Sequence, residues 1–426
     1  MLSKPATKNQ LLRKYPRRQG MNRWDVSKDF TVLERCGSTQ TVIPDAFRES
    51  AAKAARNFHQ GVEGYMPTPL VELPGLAKKL GVSGIYVKNE SKRFKLNAFK
   101  GLGGSYAMFR ILCEKLQLNP ETTTLQDLTS EKNRESVQKI EFVTATDGNH
   151  GRGVSWAAGI FGCKAHVYMP FGSQEVRAEA IRKVGPAEVQ ITDMSYDDTV
   201  QYAKTQSDKY GWILIQDTAW DGYEKIPSWI IQGYLTMASE AVEQIEALHV
   251  KPSHVFLQAG VGAMAGGVLG YLVDHYKTEK PIVTIVEPCV ANCIFTSAEA
   301  GDGKAHSVEG APVTIMAGLN CGTPCKITWP VLRDYAEFYV SCPDYVAAEG
   351  MRAYAAGLDG DEKVISGESG AATMGAAEQI LSRADCEEVR REMKLDQNSI
   401  LFFISTEGDT DPENYRNVMA GMYPAP

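Results

Sequence analysis

Residues 141–170, "EFVTATDGNHGRGVSWAAGIFGCKAHVYMP", decide the fold. The opening "EFVTAT" is β-rich, "GRGVSWAAGIFG" spaces its apolar residues as a buried helix does, and "KAHVYMP" returns to a strand. A strand, a glycine turn, a helix and a strand make one βαβ unit, whose strands lie parallel and whose crossover is right-handed. Asp147 stands where the first strand ends. In parallel α/β sheets ligands bind at the carboxyl ends of strands. Asp147 is therefore either an acid facing a ligand or a cap of the next helix, where its charge offsets the positive helix end.

The alternation extends in both directions. Upstream, "GIYVKNES" reads as a strand and "NAFKGLGGSYAMFRILCEKL" as a helix, followed by a polar, exposed connection at 117–137. Downstream come the helix "QEVRAEAIRKVG", the strand "AEVQIT", the helix "YDDTVQYAKTQSDKYG" and the strand "WILIQD". The long amphipathic helix "PSWIIQGYLTMASEAVEQIEAL" leads to a second series: "SHVFLQAGVG", the helix "AMAGGVLGYLVDHY", and the strands "PIVTIVEP" and "SILFFISTEGD". The expectation is an α/β fold of two parallel-sheet domains with a cleft between them. Residues 41–105 with 229–426 form the large domain in this reading, 106–228 a smaller inserted one, and 1–40 an N-terminal arm.

With 43% hydrophobic and 23% charged residues, the 426-residue chain has the mixture of an ordinary globular protein. A net charge of −7 argues against a general nucleic-acid binder. No apolar run reaches the length of a membrane span, and no secretory core opens the chain, so a cytoplasmic protein is expected. Residues 1–24 carry seven Lys or Arg and no acid, which reads as a solvated basic arm. Nine cysteines, an odd number, argue against a disulfide framework. Cys289 with Cys293 and Cys321 with Cys325 are spaced CxxxC but lack the tight knuckles of a zinc site, so no metal is expected.

A second glycine loop, Gly260-Val261-Gly262-Ala263-Met264-Ala265, joins a strand to a helix. Its backbone N–H groups and the helix end behind them suit a phosphate. The loop also satisfies G-x-G-x-x-A, and Glu287 ends the next strand where a dinucleotide fold places its ribose acid. A nicotinamide oxidoreductase is therefore one rival. Lys100 favours another chemistry. It opens an apolar helix beside Phe99, and a lysine desolvated in such a place can form a Schiff base with an aldehyde cofactor. Lys92, Arg93 and Lys95 read as solvated surface charges.

With "SKRFKLNAFKGLGGSYA", "TDGNHGRGVSWAA", "LQAGVGAMAGG", "QDTAWDGYEKIPSWIIQGY", "IMAGLNCGTP", "ISGESGA" and "ISTEGDTD", the chain resembles the pyridoxal-phosphate enzymes of the tryptophan-synthase-β class. Within that class it resembles the diaminopropionate ammonia-lyases, from about residue 64 almost to the C-terminus. The resemblance implies fold type II, with pyridoxal 5'-phosphate in the cleft between the domains, and a homodimer. It implies that Lys100 carries the cofactor and acts as a base on one face of Cα, with Asp147 as the base on the other face. Asp147 as an attractor of the substrate's β-ammonium is the alternative. By the same resemblance Asn149 would meet the cofactor's 3-hydroxyl, the Gly260–Met264 backbone would hold its phosphate, and Ser405 or Thr406 would face the pyridine nitrogen. Thr146, Asp147, Gly148 and His150 lie against the substrate, with His150 packing or bonding within the turn. Asp217 is a helper or a cap, and Glu368 has no assigned role. The reaction implied is loss of ammonia from D- and L-2,3-diaminopropionate, then hydrolysis to pyruvate and a second ammonia. A serine or threonine dehydratase of the same fold is the nearest rival, and a catalytically silent cofactor-binding protein the most distant.

Overall fold

The structure is a computed structural model that describes residues 21–425, apart from 36, 38–40, 309, 311 and 312. Its strands, in chain order, are β1 Arg23–Ser27, β2 Phe30–Glu34, β3 Leu70–Glu72, β4 Gly84–Asn89, β5 Glu141–Ala145, β6 Lys164–Met169, β7 Ala187–Ile191, β8 Ile213–Leu214, β9 His254–Gln258, β10 Ile282–Pro288, β11 Phe338–Cys342 and β12 Ile400–Ser405. The helices that bear on the site are α1 Gly101–Lys115, α2 Asn149–Phe161, α3 Lys225–Ala247, α4 Ala263–Tyr276 and α5 Glu368–Ser382.

Two sheets form. The larger runs β1-β2-β11-β10-β9-β12-β4-β3 and the smaller β7-β6-β5-β8. In the larger sheet β11, β10, β9, β12 and β4 are mutually parallel. Their near-continuous apolar runs are what burial on both faces requires. Its edges depart from the all-parallel expectation, because β3 runs antiparallel to β4, and β2 antiparallel to β11. The smaller sheet is parallel throughout.

Three readings change at the level of single elements. Residues 23–34, assigned to the N-terminal arm, form β1 and β2, and Phe30, Val32 and Leu33 are buried. Strands of five residues are too short to declare a period. Residues 1–20 of that arm lie outside the described residues. The polar connection holds two short helices, Leu125–Thr129 and Glu131–Gln138, the first opened by a Thr124/Asp127 capping box. Leu128 and Val137 anchor them in the core. "WILIQD" keeps only Ile213 and Leu214 as strand.

Arg93 is a correction of a different kind. Lys92 and Lys95 are exposed, whereas Arg93 is buried and pairs with Glu90 at 2.8 Å and Glu240 at 2.6 Å. Lys88 reaches the same Glu240 oxygen at 2.8 Å, and the Tyr65 hydroxyl donates to the other at 2.8 Å. Charges out of water survive only when paired and fully bonded, as they are here. The cluster ties β4 to α3 and fixes the start of the segment that leads to Lys100. That segment needs fixing, since Phe94, Lys95 and Asn97 hold φ of 48°, 60° and 56° without being glycine. Each such residue costs on the order of 1–3 kcal/mol.

Glu240→Gln should therefore destabilise the protein by about 3–5 kcal/mol, because two buried cations lose their shared anion. Urea unfolding measures it. Burial favours the neutral acid, but Arg93 and Lys88 hold the Glu240 carboxyl below its usual range. Its contribution to stability is present above the unfolded value of about 4.3 and lost as pH falls toward the folded one. The variant should lose that acid dependence. Unchanged unfolding midpoints would show the cluster to be energetically idle.

Candidate active site

The cavity lies between the two sheets, at the carboxyl ends of their strands, and has a volume of about 130 Å³. A single water needs roughly 10–15 Å³ on this scale, so the space suits a ligand of cofactor size. Lys100, at the threshold of α1, points its Nζ into it, 2.5 Å from Asp217 Oδ2. The aromatic faces of Phe99 and Tyr234 lie 5.5 and 5.8 Å from the same nitrogen. Burial works against the Lys100 ammonium, yet Asp217 outweighs it and raises its pKa. Burial likewise opposes the Asp217 carboxylate, but His150 and Lys100 hold it well below its usual range.

Lys100 is placed by close packing of α2 on α1. A Cβ on Gly153 would sit 2.9 Å from Gly101 N and from the Lys100 carbonyl oxygen, and one on Gly104 3.4 Å from the Gly153 carbonyl. Two glycines let the backbones approach. Gly153→Ala should push the Lys100 backbone away, costing about 1–3 kcal/mol of stability and about 10- to 100-fold in kcat. Full turnover in the variant would show that this contact does not set the lysine.

In the turn before α2, Gly148 holds φ +153° and forms the N-cap, without a side-chain hydrogen bond. Asp147 therefore does not cap the helix. Its carboxyl lines the cavity, and burial pushes its pKa up to about 6; Arg177 opposes this and Asp217 adds to it. Thr146 Oγ1 accepts from Gly148 N at 3.0 Å and Gly151 N at 3.1 Å, which fixes the turn. His150 Nε2 bonds the Ile215 carbonyl at 2.8 Å, while Nδ1 has no hydrogen-bond partner and lies 3.8 Å from Asp217. Burial lowers the pKa of this ring. Asn149 Nδ2 donates to Glu407 Oε2 at 2.5 Å, a bond from the smaller sheet's side to the larger.

The glycine loop forms the opposite wall. Gly262 takes φ +82°, and a Cβ on Gly260 would press within 3.1 Å of Leu319 Cα and 3.3 Å of the Gly318 carbonyl. The first amides of α4 lack intrahelical acceptors, as in any helix, and open beside Gly260–Met264. That cradle fits an anion such as a phosphate. Glu287 is not available to a ribose. It is buried, accepts from Ile294 N at 2.9 Å and Phe295 N at 2.6 Å, and burial pushes its pKa up to about 8. The dinucleotide reading loses its acid. Of the two hydroxyls at the end of β12, Thr406 lines the cavity, whereas Ser405 is buried with its Oγ 3.4 Å from the Glu407 carbonyl oxygen.

The structure thus gathers Lys100, Thr146, Asp147, Gly148, Asn149, His150, Asp217, Gly260, Val261, Gly262, Ala263, Met264 and Thr406 around one space. Sequence reasoning missed Arg152, Arg177, Gln258 and Glu407, which line it too. Arg152, Gln258 and Glu407 lie inside stretches that were read, so position alone could have flagged them. Nothing local marks Arg177. Glu368 lines the cavity, where burial and Glu407 push its carboxyl up to about 7. Cys293 sits beneath the loop, its thiol 3.5 Å from the Gly260 carbonyl. Among the described residues no three His, Cys, Asp or Glu side chains are grouped to hold a metal, and no helix is long and apolar enough to cross a membrane.

Comparison with known proteins bears on this site. Residues 62–393 match the family described as pyridoxal-phosphate dependent enzyme. The chain is 50% identical over 373 residues to diaminopropionate ammonia-lyase of Escherichia coli (strain K12), covering 88% of this chain and 92% of that one. It is 47% identical over 364 residues to the enzyme of the same name from Salmonella typhimurium, covering 85% and 90%. The crystal structure of the holo Escherichia coli enzyme superposes with a TM-score of 0.86 at 46% identity, over 94% of this chain and 99% of that one. The same enzyme in complex with an aminoacrylate-PLP azomethine reaction intermediate superposes at 0.84 and 46%, over 93% and 98%.

Proposed function

The chain belongs to the pyridoxal-phosphate dependent enzymes, and from that premise we propose that it eliminates ammonia from D- and L-2,3-diaminopropionate. The observation that carries this reading is a pair of carboxylates, Asp147 and Asp217, lining one cavity with Lys100. A substrate with a second ammonium suits such a wall; the hydroxyl of serine or threonine offers no cation to pair.

The residues fit the cofactor. Lys100 would carry it, the Gly260–Met264 backbone would hold its phosphate, Thr406 would meet its ring nitrogen, and the Asn149 amide, now on Glu407, would meet its 3-hydroxyl. Bound there, pyridoxal phosphate supplies a sink for the electrons left at Cα when a proton is removed. The chain supplies the rest. The Lys100 amine, once freed by the substrate's amine, takes the α-proton from one face. The Asp147 carboxylate takes it from the other. Asp217 stays ionised beside Lys100 and stabilises the proton once the freed amine has taken it. The 146–148 turn would hold the substrate carboxylate with its amides. The β-nitrogen leaves as ammonia, and the released 2-aminoacrylate takes up water to give pyruvate and the second ammonia.

Homodimerisation and a cytoplasmic setting complete the proposal. Cys113, Cys163, Cys293, Cys321, Cys325, Cys342 and Cys386 are free thiols, which suits a reducing compartment. The test is pyruvate release from each enantiomer of 2,3-diaminopropionate, with L-serine and L-threonine as comparators. Turnover of both enantiomers well above the hydroxy amino acids is expected. Turnover of serine or threonine alone would reassign the chain as a dehydratase.

A further inference from the structure

The end of β9 and the end of β12 lie side by side, and one side chain stitches them together. Gln258 Nε2 is 2.9 Å from the Ile404 carbonyl oxygen and 2.9 Å from Thr406 Oγ1. The carbonyl can only accept, so the amide group facing it must be the NH₂. Its second hydrogen is then aimed at Thr406 Oγ1, which must accept it. Thr406's own proton has to go elsewhere, and Thr406 is one of the residues that line the cavity. The Thr406 backbone is pinned as well, since Phe99 N donates to its carbonyl at 3.0 Å, one residue before Lys100. Gln258 is buried, and its Oε1 has no hydrogen-bond partner among the described residues. Both of the side chain's hydrogen bonds among the described residues are therefore made by its nitrogen.

We propose that Gln258 is a positioning residue that locks the Thr406 hydroxyl as a hydrogen-bond donor into the cavity, toward the ring nitrogen of the cofactor. This rests on the cofactor reading above. A hydroxyl free to rotate could accept from a protonated ring as readily as donate to a neutral one. Gln258 biases that choice: its N–H occupies one lone pair, so the hydroxyl proton cannot turn toward β9 and is left for the cavity side. Thr406 then favours an uncharged ring nitrogen, whose weaker pull on electrons suits expulsion of a neighbouring leaving group.

The experiment uses the full chain loaded with ¹⁵N-labelled pyridoxal phosphate and reads the ring-nitrogen resonance and the cofactor dissociation constant. Wild type and Thr406→Ser should show a neutral, hydrogen-bonded nitrogen. Thr406→Val should lose that bond and weaken cofactor binding about tenfold. Gln258→Glu keeps the shape but reverses the polarity. Its buried acid would donate to the Ile404 carbonyl and accept from Thr406, so its resonance should move as in Thr406→Val. The double variant should match Thr406→Val alone. Melting of the cofactor-free proteins shows that each variant folds, and Gln258→Met replaces Gln258→Glu if the acid does not. A Gln258 effect that persists without the Thr406 hydroxyl, or a protonated nitrogen in wild type, would overturn this inference alone. Failure of wild type to take up the cofactor would overturn it together with the proposed function.

Discussion

Lys100→Met should cut pyruvate release from both enantiomers by at least about 10³-fold, since one atom is asked to be both the attachment point and a base. Methionine keeps the length and apolar body of the side chain, so the packing of α1 against α2 and the Tyr234 ring has no reason to change. What disappears is the nitrogen that now faces Asp217. The covalent readout is independent of turnover. Borohydride treatment of the loaded wild type should fix the cofactor's mass on the peptide containing Lys100, and the variant should release the cofactor unmodified on denaturation. Retention of turnover within about tenfold would remove Lys100 from the reaction. The variant also leaves Asp217 without its cation, so its melting temperature should be recorded alongside.

Asp147→Asn should separate the enantiomers. The D reaction should fall about 10²- to 10⁴-fold, the range of a lost general base, while the L reaction stays within about tenfold. The pH profile carries the same information. Burial pushes the Asp147 carboxyl up to about 6, and Arg177 keeps it from rising further. A base must be ionised to accept a proton, so the D reaction in wild type should rise as pH increases through about 6. In the asparagine variant that limb should vanish. Equal losses for both enantiomers would instead make Asp147 the group that receives the substrate's β-ammonium or assists its departure.

Much of this site was legible in linear order. The glycine turn at 146–150, the loop at 260–265 and Lys100 each carry a local signature: a strand end, a helix start and residues without side chains in between. The same signature misled where burial decides. Glu287 ends a strand in the position of a ribose acid, yet it is sealed in the core with two backbone amides of the following helix. Arg93 lies in a basic run and looks solvated, yet it is buried on Glu90 and Glu240. Ser405 and Thr406 are adjacent hydroxyls where β12 ends. Successive residues of a strand point to opposite faces, so one of the two could reach the cavity. Which one depended on where the neighbouring strand lay.

The βαβ alternation, the two glycine loops, the lysine at a helix start and the acid in a turn are all written in the linear order of residues. All of these follow from periodicity and backbone freedom within about twenty residues. Which of these groups meet is a property of the folded chain. Lys100 and Asp217 are 117 residues apart, Gln258 and Thr406 148, and Asn149 and Glu407 258. Pairing across such separations is set by sheet order and by how closely α2 packs on α1. Burial and charge then act on whatever has been brought together, which is why one carboxyl, Asp147, has its pKa pushed up to about 6 while another, Asp217, is held well below its usual range.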